Sequence, residues 1–139
     1  MKKVIQFLFA IIMFVGLSSV QLMEESVYTK TQVESFIREV FADQADDLVF
    51  KSQSDRLRLL QDFLTRFHIE HHPEYAGKKF KKLSEVALFN KYNQALTRDD
   101  VLDPKVFNPL KYRFPMASKN KEVFRFDGTD FLLVIQPIN

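Results

Sequence analysis

Apolar residues recur at helical spacing after Thr31, as Val33, Phe36, Ile37, Val40, Phe41, Ala45 and Leu48, the repeat of a single buried helix face. Thr31 with Glu34 three residues on has the form of a capping box, so a helix is predicted over about 32–49. A second stripe, Leu57, Leu60, Phe63, Leu64 and Phe67, is set among Arg56, Arg58, Asp62 and Arg66 and predicts a helix starting near Ser52 or Ser54. That helix should end at His72, because proline at 73 disfavours a helical conformation in the residue before it.

Beyond the turn-like segment 73–77, the positions of Leu83, Val86, Ala87, Phe89, Tyr92 and Leu96 allow a third helix over about 84–95, weakened by Asn90 and Asn93. Pro104 and Pro109 make 98–110 a loop, with Val101, Leu102, Val106 and Phe107 expected inward. The period then changes to two. Tyr112, Phe114 and Met116 alternate with polar or proline positions, and 122–127 and 130–136 flank Asp127-Gly128, a hairpin signal. With Asp127 and Gly128 as a two-residue turn, Arg125 would face Asp130 and Phe124 would face Phe131. Phe131 to Ile135 is an unbroken apolar run, as expected of a strand covered on both faces. The predicted class is α+β, with two or three N-terminal helices on a small C-terminal antiparallel sheet of about three strands ending in a β-hairpin.

The N-terminus reads as an address. Lys2 and Lys3 precede the apolar run Val4 to Leu17, followed by Ser18 and Ser19, the order of a secretory signal peptide over residues 1–19. The alternative is an uncleaved anchor, since Val4 to Met23 is free of charge and about 20 such residues cross a bilayer. Either way residues 24–139 are expected as one α+β domain in the periplasm or secreted, tethered to the inner membrane only if residues 4–23 are retained. Charge follows from this division. The chain has 20 Lys+Arg and 18 Asp+Glu; without Lys2 and Lys3 the balance is zero, which removes the electrostatic case for a nucleic-acid partner. The absence of cysteine excludes disulfides, thiolate metal sites, a cysteine nucleophile and an N-terminal lipid anchor.

Candidate chemistry centres on His68, His71 and His72, all the histidines of the chain. On a helix, His68 and His72 share a face at i, i+4, the spacing metal-binding helices use, with Glu70, Glu74 or a distant carboxylate available to complete a zinc, copper or nickel site. A helix C-terminus that favours histidine explains the same cluster without metal. Lys78, Lys79, Lys81 and Lys82 surround Phe80 and read either as a contact for an anionic surface or as a solvated face. Asp99, Asp100 and Asp103 read as loop carboxylates, and Asp127-Gly128 as a turn. No Gly-x-Ser-x-Gly and no glycine-rich phosphate loop is present.

Three stretches, Lys82 to Leu96 (KLSEVALFNKYNQAL), Phe107 to Phe114 (FNPLKYRF) and Glu122 to Pro137 (EVFRFDGTDFLLVIQP), together with the signal, resemble small exported hypothetical proteins of Bacteroidota. The resemblance implies a cell-envelope setting and transfers no functional residue. Twelve of the 15 phenylalanines and all four tyrosines follow the signal, enough for a core and for an exposed docking patch. The sequence therefore points to an exported non-enzymatic interaction module with a protein partner in the cell envelope, an accessory subunit of a larger assembly. The alternatives are a metal-binding protein using the histidines and a small-ligand carrier with an aromatic pocket.

Overall fold

A computed structural model describes residues 27–53 and 55–138; the signal or anchor expected over 1–23 lies outside them. The class is α+β. Helix α1 (Lys30–Phe41) and helix α2 (Arg56–Thr65) are linked by a 3₁₀ turn at Ala42–Gln44 and a π turn at Asp46–Phe50. Strands β1 (Phe67–His71), β2 (Lys81–Lys82), β3 (Glu122–Arg125) and β4 (Phe131–Ile135) form one sheet of order β1-β4-β3-β2. Among the described residues no helix is long and apolar enough to cross a membrane.

The first helix begins earlier than its spacing suggested. Thr29, not Thr31, caps it, with Thr29 Oγ1 accepting from the Gln32 amide and the Gln32 side chain accepting from the Thr29 amide. It also stops earlier, because Ala42 takes φ 47°, outside the helical region. Ala45 and Val49 are nevertheless buried beyond the break, so the apolar period runs through it unmarked.

The larger correction falls on residues 66–72, which leave the helix. Phe67, His68, Ile69, Glu70 and His71 pair antiparallel with Ile135, Val134, Leu133, Leu132 and Phe131. Phe67 fits the helical stripe and the strand alternation equally well; the pairing partner decides. An apolar strand such as β4 needs hydrogen-bonded neighbours on both sides, and β1 and β3 supply them. Its side chains alternate accordingly. Leu133 and Ile135 join Phe67, Phe124 and Phe126 in the main core with Val33, Phe36, Ile37, Val40, Phe63 and Leu64, while Leu132 and Val134 are buried on the other face. Arg125 holds segment 72–80 beside that second face, donating to the carbonyls of Tyr75 (2.6 Å), Lys78 (3.2 Å) and Thr129 (3.0 Å).

The hairpin forms with a different register. Phe124 faces Leu133 and Arg125 faces Leu132, two residues away from the pairing expected for a two-residue turn. A two-residue shift keeps every side chain on its face, so the apolar pattern cannot distinguish the registers. Here the Phe131 carbonyl accepts from the Phe126 amide (3.0 Å), Gly128 adopts φ 70°, and Thr129 closes back onto the Phe126 carbonyl (3.0 Å). Asp127 faces outward from this turn to accept from the Ser84 amide (3.0 Å) and hydroxyl (2.6 Å).

No helix forms over 84–95. Leu83–Glu85 makes one 3₁₀ turn, and Leu88 then bridges Tyr112 in an antiparallel contact. Arg98 takes the carbonyls of Leu83 (3.2 Å) and Val86 (2.6 Å), and Asn93 bonds both the Ala95 amide and the Glu39 carbonyl. These side-chain bonds compete with a helical ladder. In place of a strand at 112–116 there is only that bridge, and the sheet is mixed because β2 runs parallel to β3. Phe107 is buried as expected, but Val101 and Val106 are 79% and 68% exposed, since short turns at 101–106 point them outward.

Candidate functional site

The sequence-derived candidates are dispersed. His68, His71 and His72 lie on or just past a strand rather than a helix. Four strand residues span about 13 Å, against about 6 Å for the same spacing on a helix, and alternation sends His71 to the opposite face from His68. His71 packs on Phe131, with ring centroids 4.7 Å apart. His72 is held by carboxylates at both nitrogens, Nδ1 to Glu74 (2.6 Å) and Nε2 to Glu70 (2.7 Å), and stacks on Tyr75 at 4.8 Å. Hydrogen bonds to Glu74 and then Glu70 push the His72 pKa up, and the bond to His72 pulls that of Glu74 down. Among the described residues no group of three or more His, Asp or Glu side chains is placed to hold a metal ion.

The lysines are likewise spread. Lys78 lies 4.0 Å over the Tyr75 ring, Lys81 pairs with Glu122 (3.1 Å), and Lys79 and Lys82 are exposed. Lys81 and Lys82 form the edge strand β2, where lysine blocks edge-to-edge pairing. Phe80 is half-buried, with Arg125 5.3 Å over its ring. Of the three aspartates, Asp99 alone enters a buried network, while Asp100 and Asp103 are exposed. Lys111 is buried and its ammonium meets Asp99 (2.5 Å) and Glu39 (3.0 Å); Tyr112 also donates to Asp99, and the buried Asn108 donates to Glu39 (2.8 Å). Burial opposes the Lys111 charge, yet the two carboxylates outweigh it and hold its pKa above the ordinary lysine value. The network fastens α1 to residues 99–112.

What spacing did not reveal is an apolar cleft of about 610 Å³. Its floor comes from α1 (Val40, Phe41), α2 (Leu60, Phe63) and the segment Leu110, Tyr112 and Phe114, all buried. Its rim comes from Phe89, Asn90, Lys91 and Gln94 on one side and Arg113 and Met116 on the other. Two backbone bonds set the rim, Phe89 amide to Lys111 carbonyl (2.7 Å) and Arg113 amide to Ala87 carbonyl (2.8 Å). Tyr92 stacks on Phe41 at 4.7 Å, and the Gln44 side chain donates to the Tyr92 carbonyl, which fixes segment 89–94 against α1. Aromatic contacts continue from the floor into the core, Phe63 to Phe67 at 4.8 Å and Phe67 to Phe114 at 5.5 Å. The abundance of phenylalanine signalled an aromatic wall; only the packing shows which rings form it.

No protein-family model matches the chain, and neither a curated protein nor a solved structure is similar to it.

Proposed function

We propose that the protein is an exported, non-enzymatic binding module whose working surface is the cleft between α1, α2 and residues 89–116. The observation that carries this reading is the cleft's combination of size and lining. Its volume falls in the range of roughly 300–1,000 Å³ usual for small-molecule sites, which are apolar with a few convergent polar groups. Five aromatic rings, from Phe41, Phe63, Phe89, Tyr112 and Phe114, line it. Its lining includes no Ser, Thr, His, Asp or Glu, and the Tyr112 hydroxyl is engaged by Asp99, which favours holding a ligand over transforming it. The signal-like order of residues 1–19 and the resemblance to exported envelope proteins support a setting outside the cytoplasm, where the module would serve as carrier or accessory subunit.

N-phenyl-1-naphthylamine, a neutral probe that fluoresces in apolar sites, tests the reading. Purified protein should bind it saturably at one site, and Met116→Trp, which fills the mouth from an exposed position, should abolish binding while leaving the thermal melt unchanged. Absence of saturable binding, or equal binding by the blocked variant, refutes the proposal.

A further inference from the structure

The charge around the cleft is one-sided. Lys91 and Arg113 both stand at its rim, and no carboxylate belongs to its lining. Two other cavities among the described residues differ: the lining of one, of about 350 Å³, includes Asp103 as well as Lys105, and that of the second includes Asp62 as well as Arg66. Nor do the rim cations, both exposed, find a counter-charge elsewhere. Among the described residues no carboxylate pairs with either. Lys91 meets only the face of Tyr92, at 5.2 Å, and Arg113 donates through Nε to the Leu88 carbonyl at 3.0 Å. That bond orients the guanidinium and leaves its two terminal nitrogens free to form the fork that suits a carboxylate. Glu39 on α1 and Asp99 are engaged by Lys111 instead.

Resting on the binding reading above, we infer that the ligand of this cleft is a free, monomeric anionic amphiphile, its headgroup held between Lys91 and Arg113 and its tail against the aromatic floor. A ligand with an apolar body and one anionic end matches both halves of the site. The buried apolar floor suits a single tail laid along it, which favours a free molecule over a headgroup presented by a bilayer. A wholly neutral ligand would use the floor alone and leave both exposed cations to water.

The test displaces N-phenyl-1-naphthylamine from the purified protein with dodecanoate and, in parallel, with dodecan-1-ol, which has the same tail and no charge. Dodecanoate is expected to compete at least about tenfold better, ~1.4 kcal/mol, with an advantage that shrinks as salt rises. In a Lys91→Gln, Arg113→Gln double variant the advantage should vanish while the neutral probe still binds, which shows the cleft intact. Equal competition by acid and alcohol, or a preference that survives the double variant, overturns the inference and leaves the cleft reading standing. Failure of the neutral probe to bind wild-type protein removes both. Binding to phosphatidylglycerol vesicles without competition by monomeric dodecanoate also overturns it.

Discussion

Neutralising the two carboxylates around Lys111 is expected to destabilise the protein more than removing the lysine. The asymmetry follows from exposure: the Lys111 side chain is 4% exposed, whereas Glu39 and Asp99 are 43% and 39% exposed. Lys111→Met keeps most of the side-chain volume and releases two carboxylates that regain water, so the loss is that of the charge-assisted hydrogen bonds, about 2 kcal/mol. Glu39→Gln with Asp99→Asn keeps the oxygen acceptors but leaves a buried ammonium without counter-charge, a change worth about 3–5 kcal/mol. Urea unfolding followed by far-UV circular dichroism at pH 7 measures both, with equal m-values as the check that the transition is unchanged. A Lys111→Met cost equal to or above that of the double variant would show that the charges act by simple mutual attraction and refute the reasoning. The pH dependence has a definite sign. Because the folded-state pKa of Lys111 is raised, its contribution is complete below the unfolded value near ~10.4 and is lost as pH rises through the folded value, so wild type should keep its advantage over Lys111→Met throughout neutral pH.

Gly128 and Ala42 both have positive φ, 70° and 47°, so Gly128→Ala should cost about 1 kcal/mol while Ala42→Gly should gain up to about 1 kcal/mol; opposite signs in urea melts would contradict the backbone assignment. For His72 the folded pKa is raised and for Glu74 it is lowered. Their contribution is therefore present between the unfolded glutamate value near ~4.3 and the folded histidine value, and fades on either side. The melting-temperature difference between wild type and His72→Gln should shrink as pH rises from 6 to 9, and a flat difference excludes the clamp. Phe67, fully buried between Phe63 and Phe114, should cost about 3–5 kcal/mol on replacement by alanine. Val101→Ser should stay within about 0.5 kcal/mol; a large effect there would mean the loop packs inward.

Some features were legible because one physical cause acts locally. The α1 stripe, the double burial of β4 and the turn at Gly128 each follow from residues close in sequence: an apolar period, an unbroken apolar run and a glycine that accepts positive φ. The two-residue error in hairpin register had no local signature, since both pairings bury the same faces. The break at Ala42 was invisible for a related reason, alanine being a good helix former with nothing to mark a positive φ.

The candidate site divides the same way. Composition established that rings were abundant, that cysteine chemistry was absent and that residues beyond Lys3 carry no net charge. Whether residues 67–71 became helix or strand was decided by β4, a partner 60 or more residues away, whose hydrogen-bonding groups required a neighbour; that choice spread the three histidines over two faces. The cleft likewise exists only because Leu88 bridges Tyr112 and Tyr92 stacks on Phe41, contacts between segments distant along the chain. Local sequence sets the period and the turns, and long-range pairing sets which side chains meet, because backbone groups buried far from water must find partners wherever the chain provides them.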